Sequence, residues 1–275
     1  MASEQPSDKR RMRLDFLGIG TQKGGTTSLN AYLRQHERID LPNRELHCFD
    51  DEALDWPHPD FDPYHSHFTH PVSLPVNGGP EASPGTVRFR LLGEITPIYM
   101  YWEPCAERIY NYNPAIKLII LLRNPLARAY SHWAMEKERG LEHLSFSEAL
   151  RQEPLRCQAG SPGQHRVYSY LDRGRYAFQI RRLFRWFTRS QMLILRSEEL
   201  FHEPTVTLRR LTDFLQIPPF AELIPTHSRR GVYPDVLRQD DWEFMATALE
   251  EDIRDLEDLL GWDCEAWRRP WAPFT

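Results

Sequence analysis

The sequence contains only four cysteines in 275 residues, Cys48, Cys105, Cys157 and Cys264, and no two of them form a C-x-x-C pair. That spacing gives no footing to a disulfide scaffold or a cysteine zinc site, and it points to free thiols in a reducing compartment. No apolar run approaches membrane-spanning length, and the basic N-terminal segment MASEQPSDKRRMR is followed by no stretch long enough for a signal peptide. A cytoplasmic protein without an integral membrane segment is therefore expected. A positive excess is missing as well: the net charge is −5, which argues against a whole surface built for nucleic acid or for a heavily anionic polymer, so any basic site must be local. No internal repeat is evident.

What is present suits a single α/β domain. With 41% apolar and 12% aromatic residues the chain can bury a full core. After a polar tail (1–13), LDFLGIG (Leu14–Gly20) reads as a buried strand ending in glycine, followed by helical spacing of Leu29, Tyr32 and Leu33. KLIILL (Lys117–Leu122) is a second buried strand, and Pro125 then fits the first turn of a helix. Tyr176–Arg189 has helical periodicity, Met192–Leu195 is a strand, and Asp241–Leu260 is an amphipathic helix with its stripe in the core. Alternating helices and buried strands predict a parallel β-sheet of P-loop type flanked by helices, with ligands beyond the carboxyl ends of the strands. Between 51 and 90 the composition shifts to Pro, His, Gly and Asp, which reads as a long loop or lid. Its histidines, His58, His65, His67 and His70, match no zinc spacing, and no metal site is expected.

The segment Gly20–Ser28, GTQKGGTTS, has Walker A glycine spacing, but threonine stands where that motif requires lysine. The lysine has moved into the loop, at Lys23. Glycines let backbone N–H groups converge on an anion, and a helix N-terminus adds partial positive charge. Nucleotide hydrolases and kinases also need a metal-binding carboxylate at a strand end; here the second strand ends in Arg123. A cation at that position suits direct binding of an anion. On its own, Arg123 reads better as a surface ion-pairing residue, and Ser131 as a helix hydroxyl bonded to its own backbone.

The loop GTQKGGTTSL resembles the 5′-phosphosulfate loop of sulfotransferases that use 3′-phosphoadenosine 5′-phosphosulfate (PAPS), and IILLRNPLARAYSHW resembles their 3′-phosphate motif. The likeness extends over most of Leu14–Ile217, through NRELHCFD, GEITPIYM and the segment around GRYAFQIRRLFRW. It is nearest to the branch with heparan sulfate sulfotransferases and their bacterial relatives. The resemblance implies that Lys23, Gly24, Gly25, Thr26, Thr27 and Ser28 hold the 5′-phosphosulfate, with Lys23 on the bridging oxygen that gains charge as the S–O bond breaks. Arg123 and Ser131 would take the 3′-phosphate, and Arg229, Arg230 and Gly231 in HSRRGVYP would close over the nucleotide. The product would be 3′,5′-adenosine bisphosphate, with no metal required.

The acceptor must lose a proton, so the site needs a base. The resemblance aligns Glu45 and His47 with the family's Lys-Glu-x-His-Phe-Phe segment, which makes Glu45 the first candidate and His47 the second. Arg44 stands where the family commonly has lysine and Cys48 where it commonly has phenylalanine. Arg44, Glu94, Tyr64, His65 and Phe68 are candidates for the acceptor side, Glu94 either as a base or as an orienting partner. A small-molecule, lipid or carbohydrate acceptor fits equally, and neither nucleic acid nor a particular oligomeric state is indicated. The arginines of RRLFRWFTR read as a solvated helix face. The competing readings are a magnesium-dependent nucleotide kinase and a non-catalytic nucleotide-binding module.

Overall fold

In chain order the elements are β1 (Phe16–Gly20), α1 (Thr26–Leu33), β2 (Ile39–Asp40), α2 (Asp62–His65), β3 (Leu91–Ile95), α3 (Cys105–Tyr112), β4 (Lys117–Leu122) and α4 (Pro125–Glu138). They continue with α5 (Phe146–Gln158), α6 (Tyr176–Leu183), β5 (Met192–Arg196), α7 (Ser197–His202), α8 (Pro204–Leu215), α9 (Gln239–Leu260) and α10 (Glu265–Arg268). The structure, a computed structural model, describes residues 12–68, 90–160, 162–226 and 237–269. Among these residues no helix is long and apolar enough to cross a membrane.

The strands form one five-stranded sheet in the order β2-β3-β1-β4-β5, and every pair is parallel. The expected α/β sheet flanked by helices is the one observed. A continuous apolar run such as KLIILL is what a strand covered on both faces requires. Ile119 and Leu121 point to one layer with Phe16, Leu29, Leu33, Leu195 and Leu211. Leu118, Ile120 and Leu122 point to the other, with Leu17, Ile19, Tyr130, Trp133 and Leu249. Each fully buried aliphatic side chain of this kind contributes about 1.5–3 kcal/mol.

Local signals set the ends of the elements. The Asn124 side chain accepts from the Leu126 and Ala127 N–H groups at the start of α4, with Pro125 in the first turn. Ser145 and Glu148 form a capping box on α5. Gly261, with φ +67°, closes α9 in the left-handed conformation. Met245, Leu249, Ile253 and Leu256 of α9 are buried, as the amphipathic stripe requires.

Three expectations are adjusted. β1 begins at Phe16 rather than Leu14, although the Asp15 backbone already bonds Leu92 and Lys117 on either side and its carboxylate accepts from the Leu92 N–H at 2.8 Å. The helix expected over Tyr176–Arg189 stops at Leu183: Arg185 and Trp186 bond three residues back, to Arg182 and Leu183, and Thr188 caps a separate short turn. The segment after Asp51 is no open loop as far as Phe68. Trp56, Phe61 and Tyr64 pack around the fully buried Phe49, and the Arg108 guanidinium lies 4.3 Å from the Trp56 ring centre. Of the tail expected at 1–13, Met12 packs against the core.

Candidate active site

Two adjacent strand ends create the first half of the site. β1 and β4 run side by side, and the Thr21 N–H donates to the Leu121 carbonyl at 2.9 Å, so the loop after β1 lies against the end of β4. Lys23 (φ +66°) and Gly25 (φ +92°) both take left-handed conformations, which curl the loop tightly. Gly24 is required by space: a Cβ there would lie 2.6 Å from the Leu121 carbonyl oxygen and 2.8 Å from that of Thr21. The Ser197 hydroxyl, at the start of α7, donates to the Gly24 carbonyl at 2.6 Å.

This loop leads into α1, whose N-terminus has no side-chain cap and no acidic residue in its first turn. Its first N–H groups, at Thr26, Thr27 and Ser28, thus have no capping side chain, an arrangement able to receive an anion. Burial lowers the pKa of Lys23, and the nearby cations Arg123 and Arg139 lower it further. An anion at this loop would favour the Lys23 ammonium, against the burial and the neighbouring cations that disfavour it. Arg123 leaves the end of β4 and donates to the Lys23 carbonyl at 3.1 Å, so the two cations expected to share the nucleotide stand together. Ser131 is buried on α4. Arg229, Arg230 and Gly231 lie outside the described residues.

The second half is the segment Arg44–Asp50. The His47 ring, half exposed, lies between two carboxylates: Nε2 is 3.2 Å from Glu45 and Nδ1 is 3.1 Å from Asp50. His47 sits in the left-handed region at φ +56°, a conformation uncommon for a residue with a side chain. The Asp50 hydrogen bond, then the Glu45 hydrogen bond, pushes its pKa up to about 10, burial pulling the other way. Asp50 is itself buried and paired with the Arg166 guanidinium. Sequence reasoning missed both residues; the His-x-x-Asp spacing marks Asp50, whereas nothing local marks Arg166.

Glu94, expected on the acceptor side, is fully buried. Its carboxylate accepts from the hydroxyls of Tyr64 (2.7 Å), Tyr99 (2.8 Å) and Thr96 (2.9 Å). Burial pushes its pKa up, and these hydroxyl donors pull it back. The same hydroxyls face upward as acceptors: Thr96 receives the Leu46 N–H at 3.2 Å and Tyr99 the Cys48 N–H at 2.9 Å. Glu94 thus underpins both sides of His47 from the core, a supporting role instead of direct exposure to an acceptor. Tyr64 and Phe68 are likewise buried, in ring contact with each other. His65 bonds the Tyr112 hydroxyl at 2.9 Å, and the exposed Arg44 lies 3.4 Å from His67. Burial drives the Cys48 thiol pKa far up, which leaves it unreactive as a nucleophile.

The basic stretch beginning on α6 is a solvated face at the exposed Arg181, Arg185 and Arg189, and departs from it at Arg182. Arg181 pairs with Asp255 of α9, and Arg182 donates to the Met100 and Tyr101 carbonyls. Among the described residues no three His, Cys, Asp or Glu side chains gather in a metal-binding group.

Comparison with known proteins matches this architecture. The family model described as "Sulfotransferase domain" matches residues 105–232, which include Arg123 and Ser131. Heparan sulfate glucosamine 3-O-sulfotransferase 5 of Mus musculus is 26% identical over 209 residues, 73% of this chain and 53% of its own length. Heparan sulfate glucosamine 3-O-sulfotransferase 6 of Mus musculus is 29% identical over 211 residues, 75% of this chain and 53% of its own length. The chain therefore spans about half the length of these curated relatives. A crystal structure of a sulfotransferase from Alicyclobacillus acidocaldarius superimposes with a TM-score of 0.74 at 27% identity, covering 94% of this chain and 100% of that one.

Proposed function

We propose, from the premise that this chain belongs to the sulfotransferase family, that it transfers a sulfuryl group from PAPS to an acceptor hydroxyl or amine. The observation that carries the proposal is the uncapped, acid-free N-terminus of α1, flanked by Lys23 and Arg123. In this reading the N–H groups of Lys23 and Gly25–Ser28 and the Thr26 and Thr27 hydroxyls hold the 5′-phosphosulfate, the Gly24 N–H being engaged by the Thr21 carbonyl at 2.9 Å. Arg123 and Ser131 hold the 3′-phosphate through paired and single donors, and Arg229, Arg230 and Gly231 complete the nucleotide contacts.

The acceptor oxygen or nitrogen forms a bond to sulfur as the bond from sulfur to the bridging oxygen breaks. Its proton passes to Glu45, and the negative charge left on the bridging oxygen is met by Lys23. His47, held protonated by Asp50 and Glu45, orients the Glu45 carboxylate instead of accepting the proton. No metal enters this scheme, since Lys23 and Arg123 supply the positive charge. Arg44 presents an exposed cation beside the base, suited to the acceptor side.

A carbohydrate hydroxyl is the acceptor class we favour, because the curated relatives are named for 3-O-sulfation of heparan sulfate glucosamine. Four free thiols support a reducing compartment such as the cytoplasm. Radiolabelled PAPS offered with panels of oligosaccharides, lipids and phenols tests the reading. Transfer of label to an oligosaccharide is expected; transfer only to a lipid or phenol would move the acceptor class, and nucleotide binding without transfer to any class would contradict the activity.

A further inference from the structure

The donor loop and the base segment are joined by two arginines that no sequence motif marks. Arg173, in the short 3₁₀ turn Asp172–Gly174, is 1% exposed. Its Nη1 donates to the Gln22 side-chain oxygen in the donor loop at 2.5 Å, its Nη2 to the Arg166 carbonyl at 2.6 Å and its Nε to the Ser169 hydroxyl at 2.8 Å. Arg166 in turn grips Asp50 through both the side chain and the backbone carbonyl, with its guanidinium 4.4 Å from the Trp102 ring centre. Asp50 holds Nδ1 of His47, and Nε2 of His47 faces Glu45. An unbroken chain of polar contacts thus runs from Gln22 to Glu45.

The energetics give this chain a direction. All three hydrogen-bond acceptors of the buried Arg173 are neutral oxygens, and its guanidinium lies 4.7 Å from the Tyr101 ring centre, so no carboxylate hydrogen-bonds its desolvated charge. A bound phosphosulfate next to Gln22 would supply the missing negative charge. Arg166, by contrast, is 40% exposed at its side chain, and its backbone carbonyl is held by Arg173.

We propose that Arg173 and Arg166 are positioning residues for the transfer step, carrying the occupancy of the donor loop from Gln22 to the Asp50–His47 pair. The proposal rests on the donor reading given above. An anion in the loop fixes Gln22 and Arg173, Arg173 fixes the Arg166 backbone, and Arg166 holds Asp50 so that the His47 ring presents Nε2 to Glu45. The base is then set in place when the donor has bound.

Imidazole nitrogen spectra of the full chain, labelled on histidine and assigned to His47 by loss of its signals in His47→Asn, test this with 3′,5′-adenosine bisphosphate as the probe. The His47 signals should move on saturation of the wild type. In Gln22→Leu the nucleotide should still bind but the His47 response should be lost. Arg166→Gln should displace the His47 signals even without nucleotide, and Arg166→Lys should restore them in part. Should a substituted protein fail to fold, the wild-type titration decides alone. A saturated wild type with unmoved His47 signals, or a Gln22→Leu protein with an unchanged response, overturns the coupling while leaving the donor reading intact. Failure of the wild type to bind the bisphosphate overturns both.

Discussion

Nε2 of His47 lies 3.2 Å from a carboxylate oxygen of Glu45, and the other nitrogen of the same ring is held by Asp50. The ring is half exposed, so solvent trims the effect of each carboxylate, yet both act in the same direction and favour the imidazolium. A protonated ring cannot accept the acceptor's proton. In the proposed transfer this separates base from orienting partner, with Glu45 as the base and His47 as its support.

Glu45→Gln should lower kcat by roughly 10²–10⁴, the usual worth of a general base. Binding of 3′,5′-adenosine bisphosphate should be unchanged, because Glu45 belongs to the other half of the site. Steady-state kinetics beside a nucleotide titration check both; full turnover in this variant would transfer the base to another group.

The His47–Asp50 pair predicts a pH dependence of stability. A histidine whose folded pKa is raised from 6.5 to about 10 contributes stability that is fully present below pH 6.5 and is lost as pH rises through about 10. Asp50→Asn removes the largest cause of that shift. The pH-dependent part of its stability deficit should be greatest near and below pH 6.5 and should shrink toward pH 10 in a series of melting curves. A deficit that grows with pH would mean that His47 is neutral in the fold.

Lys23→Ala should reduce kcat on the order of 10²–10³, the scale found when one donor to a developing oxyanion is removed. Nucleotide binding should weaken far less, since the α1 N-terminus and Arg123 remain. Equal losses in kcat and in nucleotide affinity would mean that Lys23 serves binding alone.

Gly24→Ala should abolish nucleotide binding while leaving the sheet folded. The added methyl would meet backbone oxygens of Leu121 and Thr21, neither of which can rotate away, so the loop itself must move. Circular dichroism with a bisphosphate titration separates loop damage from unfolding; wild-type affinity would show that the loop tolerates the shift.

Tyr99→Phe should cost about 1–3 kcal/mol of stability, the penalty for leaving buried partners unsatisfied. Its hydroxyl both donates to Glu94 and receives the Cys48 N–H. The expected accompaniment is a lower kcat with unchanged nucleotide affinity, because only the base segment rests on it. Chemical denaturation and kinetics together report this pair of effects.

What could be read from the chain was local. The run Lys117–Leu122 became β4 with those bounds, and Asn124-Pro125 started α4, because burial on two faces and helix capping are settled by neighbouring residues. The displaced Lys23 and the strand-end Arg123 were visible for the same reason. The supports were not, because they are assembled across the chain: Arg166 meets Asp50 across 116 positions and Arg173 meets Gln22 across 151. The burial of Glu94 was not legible, because a buried carboxylate looks in sequence like an exposed one until Tyr64, Thr96 and Tyr99 arrive to hydrogen-bond it. The stretch from Trp56 to Phe68 read as loop because its aromatic residues follow no period, although they pack against Phe49.

Melting of the full chain with 3′,5′-adenosine bisphosphate, compared with 5′-AMP and with ATP plus Mg²⁺, tests the claim that Lys23, Arg123 and the α1 N-terminus form a PAPS site. At a hundredfold excess over Kd, a ligand of the native state should stabilise it by about 2.7 kcal/mol. The account predicts that the bisphosphate raises Tm most and that removing its 3′-phosphate loses most of the gain. A larger rise with ATP plus Mg²⁺, or equal rises with bisphosphate and 5′-AMP, would contradict it.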